Sequence, residues 1–135
     1  MTIRVLETAL YVEDLDASEK FYRDLFGCQT LLADDRMRAL NIGETNVLLL
    51  FKRGATTDGE EVPGGFIPPH DATGQIHLCF AIETDDLENY RRVLEANNVE
   101  VISTVLPPRG GTSLYFRDLD GHLIELATRG VWEIY

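Results

Sequence analysis

A chain of 135 residues with 44% apolar side chains has room for one ordinary domain, or for two small modules that share a core. Its net charge of −11 argues against a nucleic-acid partner, which wants clustered Lys and Arg, and suits a cationic ligand or a metal ion. No stretch approaches the roughly 18 consecutive apolar residues of a membrane span, and the opening Thr2-Ile3-Arg4-Val5 has no apolar signal region, so the expected location is the cytoplasm.

Residues 3–12 read as a strand, with Ile3, Val5, Glu7, Ala9 and Tyr11 on one face. A single carboxylate, Glu7, thus sits mid-strand on a mainly apolar face. Asp16-Ala17-Ser18-Glu19 fits a capping box. Leu15, Tyr22, Leu25 and Phe26 follow at helical spacing, and Gly27 is the C-terminal stop. Three strands are predicted near 28–33, 37–42 and 46–52, with turns at Asp34-Asp35 and Gly43-Glu44-Thr45-Asn46. Residues 53–75 break the pattern. They are polar and Gly-rich, then run into Phe66-Ile67-Pro68-Pro69-His70-Asp71, as a functional lid or a linker does.

A second pass begins at Ile76-His77-Leu78-Cys79-Phe80-Ala81-Ile82. Asp85-Asp86-Leu87-Glu88 caps a predicted helix carrying Leu87, Tyr90 and Leu94, which ends at Asn97-Asn98. Strands follow near 99–105, 112–117 and 122–128. Asp118-Leu119-Asp120-Gly121 between the last two is a strong hairpin signal. In the final strand Leu123, Glu125 and Ala127 point one way; His122, Ile124 and Leu126 point the other, and His122 is read as surface. Glu125 is therefore a second lone carboxylate among apolar neighbours. A buried carboxylate needs a cation, a hydrogen-bond network or a proton.

Both halves read β-α-β-β-β. Glu7-Thr8-Ala9-Leu10-Tyr11-Val12-Glu13 lies over His77-Leu78-Cys79-Phe80-Ala81-Ile82-Glu83, and Tyr22-Arg23 over Tyr90-Arg91. Similarity at a fixed offset suggests a duplicated unit. The expected division is a first module at 1–53, a connecting loop at 54–75 and a second module at 76–130. Cys28 and Cys79 form no pair motif and are read as free, buried thiols. Trp132 and Tyr135 are read as cover for a core or a dimer seam.

The chain resembles the vicinal oxygen chelate superfamily, the group of glyoxalase I, bleomycin-resistance proteins and extradiol dioxygenases. The resemblance rests on Val12-Glu13-Asp14-Leu15 leading to Phe21-Tyr22-Arg23 and Gly27, on Gly74-Gln75-Ile76-His77-Leu78-Cys79-Phe80, and on Phe116-Arg117-Asp118-Leu119-Asp120-Gly121-His122-Leu123-Ile124-Glu125-Leu126. Leu119 departs from the family's usual Pro. The resemblance implies an α+β fold in which two βαβββ modules form a curled mixed β-sheet cavity with helices outside. It implies metal ligands at Glu7, His77 and Glu125, and a fourth position at Leu49 or Leu50 that cannot bind metal. Three protein ligands with open positions suit a catalytic centre rather than a closed structural one. It also implies a homodimer.

One His with two carboxylates is a hard, negative donor set. The expected cofactor is one divalent ion per site, Mn, Zn, Ni, Co or Fe(II), and the set fits a Lewis-acid role better than ring-cleaving dioxygenation, which stays open. The expected function is lyase, isomerase or addition chemistry on a small oxygen-rich substrate chelated by the metal, with Glu7 or Glu125 as the base. Tyr11, His70 and Tyr115 are candidate substrate contacts. The alternative is a bleomycin-resistance type of antibiotic-binding protein without catalysis, which the −11 charge suits and the two inward carboxylates do not. A further possibility is thiol transfer to an epoxide antibiotic, for which the chain shows no separate cation-loop signature.

Overall fold

The computed structural model describes residues 1–135. They form two compact units, Met1–Gly74 and Gln75–Tyr135.

In the first unit, β1 (Glu7–Val12) and β4 (Asn46–Lys52) alternate buried and half-exposed residues, the period of a sheet with one packed face. Leu10, Val12, Leu48 and Leu50 form the packed face, none more than 2% exposed. Helix α1 (Leu15–Phe26) packs on β4 and on β3 (Met37–Ile42), and its Leu15, Tyr22 and Leu25 are buried. Asp14 caps this helix by accepting from the Ala17 N–H at 3.0 Å. The capping box expected at Asp16 and Glu19 does not form. Those two carboxylates instead bind Arg38 of β3, each at 2.7 Å, tying helix to sheet. Gly27 ends the helix with φ 63°, a conformation only glycine takes cheaply, and its N–H bonds the Arg23 carbonyl at 2.8 Å.

The sheet order is β1-β4-β3-β2, where β2 is Thr30–Ala33, and β1 lies parallel to β4. The first strand is shorter than its sequence pattern. Met1–Leu6 lie outside it and are exposed, so Glu7 opens the strand rather than sitting in its middle. The irregular stretch after β4 contains a small hairpin, β5 (Glu60–Val62) and β6 (Gly65–Ile67).

The second unit repeats the topology. Strands β7 (His77–Ala81), β8 (Ser103–Val105), β9 (Ser113–Arg117) and β10 (Leu123–Ala127) are ordered β7-β10-β9-β8, with β7 parallel to β10. Helix α2 (Leu87–Ala96) follows a 3₁₀ turn at Thr84–Asp86; Asp86 precedes it without a side-chain cap. Leu114, Phe116, Ile124 and Leu126 have no exposed surface. Their face also holds His122, which is 1% exposed and accepts from the Ile76 N–H at 3.1 Å through Nδ1. The surface reading of His122 is therefore wrong. The hairpin turn places the residue inside the sheet's packed face, and the Ile76 N–H satisfies its ring nitrogen.

Asp118 builds that turn. Its carboxylate accepts from the N–H groups of Asp120 (3.0 Å) and His122 (2.9 Å), and Gly121 takes φ 80°. At the C-terminus Trp132 is 74% exposed and covers no core; Tyr135 donates its hydroxyl to the Ile82 carbonyl.

Leu126→Ala empties a fully buried site and is expected to lower the unfolding free energy by about 2–5 kcal/mol. Asp14→Ala is expected to cost about 1 kcal/mol through the lost cap. Urea denaturation followed by circular dichroism measures both.

Candidate functional site

The ladder registers assign each inward side chain a counterpart in the other unit. In the second unit Cys79 of β7 lies opposite Glu125 of β10, and Tyr115 of β9 lies opposite Glu125 from the other side. In the first unit Ala9 and Ala39 flank Leu49 in the same way. Leu49, not Leu50, is therefore the first unit's counterpart of Glu125, and Ala39 that of Tyr115. Glu7 and His77 open corresponding strands.

Glu125 is 7% exposed. Its Oε2 lies 3.1 Å from His77 Nε2. Tyr115 and Cys79 flank the same carboxylate from the two neighbouring strands, and the Cys79 thiol donates to the Phe80 carbonyl at 3.8 Å. Burial first, then the Glu125 charge, pushes the Tyr115 phenol above its ordinary value, so it stays a neutral donor. Cys79 is exposed as a residue, against the buried reading. Desolvation around its sulfur, and then Glu125, push the thiol up to about 12. Cys79 is thus protonated and no nucleophile at neutral pH. The sequence could have shown this neighbour: Cys79 shares a strand face with His77 by the period of two.

The His77 ring is oriented from behind. Its Nδ1 lies 2.9 Å from the Leu123 carbonyl oxygen. A carbonyl oxygen only accepts, so Nδ1 carries the proton in the neutral ring and the Nε2 lone pair faces Glu125. Two electron-pair donors 3.1 Å apart are held apart by repulsion unless a cation or a proton sits with them. Adjacent ligands on a divalent ion are about 3 Å apart when bonds are about 2.1 Å, so the pair fits such an ion. Neither unit alone gathers three His, Cys, Asp or Glu side chains spaced for a metal.

In the first unit the inward face lines an open cavity of about 630 Å³. Glu7 lines it and makes no hydrogen bond or ion pair within its unit. His70 lines it too, held by what surrounds it. Its N–H donates to the Thr56 carbonyl at 3.1 Å, its own carbonyl accepts from the buried Thr56 hydroxyl, and Asp71 accepts from the Gly54 N–H at 3.1 Å. The His70 ring packs edge-on to Phe51 at 4.6 Å, and Nδ1 lies 2.7 Å from the Tyr11 hydroxyl. Of the residues singled out from sequence, the structure brings His77, Glu125 and Tyr115 together in one unit, and Glu7, Tyr11 and His70 onto one face of the other. The ion pair of Arg36 with Glu60 at the cavity wall, 2.5 Å, carries no sequence signal, because the hairpin that supplies Glu60 lies in the stretch without periodicity.

Residues 4–126 match the family model of the Glyoxalase/Bleomycin resistance protein/Dioxygenase superfamily, and the chain belongs to that family. Among solved structures it is similar to lactoylglutathione lyase from Agrobacterium tumefaciens, with 32% identity, 96% of each chain covered and a TM-score of 0.86. Among curated proteins it is similar to metallothiol transferase FosB from Staphylococcus epidermidis, 32% identical over 120 residues, covering 87% of this chain and 75% of that protein. The FosB of Shouchella clausii is 30% identical over 124 residues, covering 87% and 74%. These relatives are named as enzymes. No helix of the chain is long and apolar enough to cross a membrane.

In metal-free protein, Cys79 is expected to react with iodoacetamide about a hundredfold more slowly than in the unfolded chain under mildly alkaline conditions. Glu125→Gln removes the opposing charge and should speed the reaction; peptide mass spectrometry of the alkylated site measures it.

Proposed function

We propose that the chain is a metal-dependent enzyme that carries out lyase, isomerase or addition chemistry on a small oxygen-bearing substrate. His77 and Glu125 are proposed as ligands of one divalent ion, with Glu7, the first-unit counterpart of His77, as the third. The observation that carries this reading is the His77–Glu125 pair: two lone-pair donors aimed together at 3.1 Å, with the far ring nitrogen committed to a carbonyl. One imidazole and two carboxylates favour Mn, Zn, Ni or Co over the two-His set of Fe(II) dioxygenases. The name metallothiol transferase and the name lactoylglutathione lyase, carried by relatives of this chain, agree with such chemistry.

When bound, the ion supplies a Lewis acid at a substrate oxygen. The chain's own residues do the rest. The Leu123 carbonyl holds the His77 ring in one tautomer. Glu125 is buried between Tyr115 and Cys79 and paired with His77, which leaves it less free to accept a substrate proton. Glu7 has no such partners, and its carboxylate is the base that takes a proton from substrate or from an attacking nucleophile. His70, oriented by Tyr11, contacts substrate at the cavity wall.

The same reading has the chain work as a homodimer, which accords with its exposed Ile3, Val5, Leu6, Ile102, Leu106 and Trp132. Sedimentation velocity is expected to show a species of twice the chain mass.

Elemental analysis of protein purified without chelators or nickel resin tests the metal. About one divalent ion per chain is expected in the wild type, and about a tenth of that or less in Glu125→Ala and His77→Ala at the same free metal concentration. No metal in the wild type after reconstitution with each of Mn, Zn, Ni, Co and Fe(II) overturns the reading and turns the site into that of a ligand-binding protein. Glu7→Gln is expected to lower kcat more than metal content, as a base does.

A further inference from the structure

Two strand heads in this chain are paired alike and held differently. His77 opens β7 opposite Leu123, and Glu7 opens β1 opposite Val47. One residue earlier, the Ile76 carbonyl accepts from the Leu123 N–H and the Leu6 carbonyl from the Val47 N–H, both at 2.8 Å. The residue just before Leu123 is His122, and the residue just before Val47 is Asn46. There the two units part. The His122 ring turns into the packed face, and its Nδ1 accepts the Ile76 N–H at 3.1 Å. Ile76 is thus tied through both of its backbone groups. Asn46 instead donates its side-chain amide to the Thr45 hydroxyl at 3.1 Å. Leu6 is 55% exposed, and the whole segment Met1–Leu6 lies outside the strand.

His122 is itself hard to move. Its N–H donates to the Asp118 carboxylate at 2.9 Å, and its carbonyl accepts from the Asp118 N–H at 3.1 Å. The residue is 1% exposed, so another rotamer would meet packed side chains. Gly121, at φ 80°, lets the same segment close down once more. A Cβ there would stand 2.5 Å from Gln75 Nε2, and without one the Gln75 side chain lies on the turn.

The head of β7 needs such a hold. It belongs to an edge strand, paired with β10 alone. The His77 side chain is 49% exposed, so packing does little to fix it. What fixes it is the backbone at its root and the bond from Nδ1 to the Leu123 carbonyl at 2.9 Å. Strand ends with few buried contacts are the first to open. With the Ile76 N–H left unpaired, the end of β7 would fray and the ring would lose its alignment on Glu125.

We propose that His122 is a positioning residue: by accepting the Ile76 N–H it clamps the head of β7 and delivers the His77 ring to Glu125, while Asn46 leaves Glu7 without such a clamp. One ladder thereby carries a fixed ligand in one unit and a freer base in the other. The clamp stands on backbone geometry alone; that it serves a metal ligand rests on the function proposed above.

Metal-free wild-type protein labelled with ¹⁵N gives the first test. A ¹⁵N–¹⁵N coupling across the hydrogen bond from Ile76 to His122 Nδ1 is expected, with the His122 ring hydrogen on Nε2. No coupling, or a ring hydrogen on Nδ1, overturns the proposal. In His122→Leu, which keeps the volume and loses the acceptor, the Ile76 amide is expected to exchange with solvent at least about tenfold faster, and the His77 ring to lose its single Nδ1–H tautomer. His122→Asn, which gives the second unit the first unit's residue, should act in the same direction. Leu94→Ala, which destabilises the second unit from helix α2, is the control. It should leave Ile76 exchange within about twofold of wild type and the His77 ring unchanged. Zinc is then offered to each protein. The His122 variants are expected to bind it about tenfold more weakly than wild type, and Leu94→Ala as tightly as wild type. Wild-type zinc affinity in the His122 variants, or Ile76 exchange no faster than in Leu94→Ala, overturns the clamp. A wild type that takes no zinc while Ile76 and His77 respond as stated removes the metal reading alone.

Discussion

A carboxylate removed from water has to be met by donors or by a cation, and Glu125 sets that demand on the whole second unit. It is 7% exposed in the middle of a strand whose neighbours are apolar. The parallel pairing of β7 with β10 brings Cys79 beside it, and the antiparallel pairing with β9 brings Tyr115 from the other side. His77 completes the set from the head of β7. The two weak acids around it respond as they must. Both Tyr115 and Cys79 are pushed up and remain protonated. With Nδ1 committed to the Leu123 carbonyl, Nε2 and the carboxylate face each other across a gap that takes a proton or a cation.

The first unit uses the same ladder for a different purpose. Where the second unit has Glu125 and Tyr115, it has Leu49 and Ala39. The exchange removes the polar cluster and opens space over the sheet. The stretch after β4 then returns along that space. It is pinned at its base by Thr56 with His70 and by Asp71 with Gly54, which leaves His70 at the wall. Duplicated topology with divergent inward side chains thus yields one unit that concentrates polar groups and another that provides an apolar hollow.

Several local devices carry the geometry at small energetic scale. A single Asp caps the first helix and another shapes the last hairpin, each by accepting backbone N–H groups that would otherwise lack partners. The Asp16–Arg38–Glu19 cluster ties helix to sheet. Arg38 and Glu19 are largely buried while Asp16 is exposed, so the cluster's worth lies in fixing orientation more than in net stabilisation.

The sequence by itself determined the βαβββ repeat, the positions of both helices and most strands, and the face on which Glu7, Tyr11, His77 and Glu125 sit. Those features follow from local periodicity, turn chemistry and the matching of the two halves, all of which act over a few residues or a fixed offset. The capping box at Asp16 failed because Asp14 was equally able to cap, and Arg38, 22 residues on, competed for Asp16. His122 failed because exposure was inferred from its place beside a turn, whereas the packed face of the sheet begins there. Only the tertiary structure decided the choice of Leu49 over Leu50, the placing of Cys79 against Glu125, the tautomer of His77 and the neutralising of Arg36 by Glu60. Each depends on strand register or loop return across long stretches of chain, and a one-residue change of register would turn every one of those side chains to the opposite face.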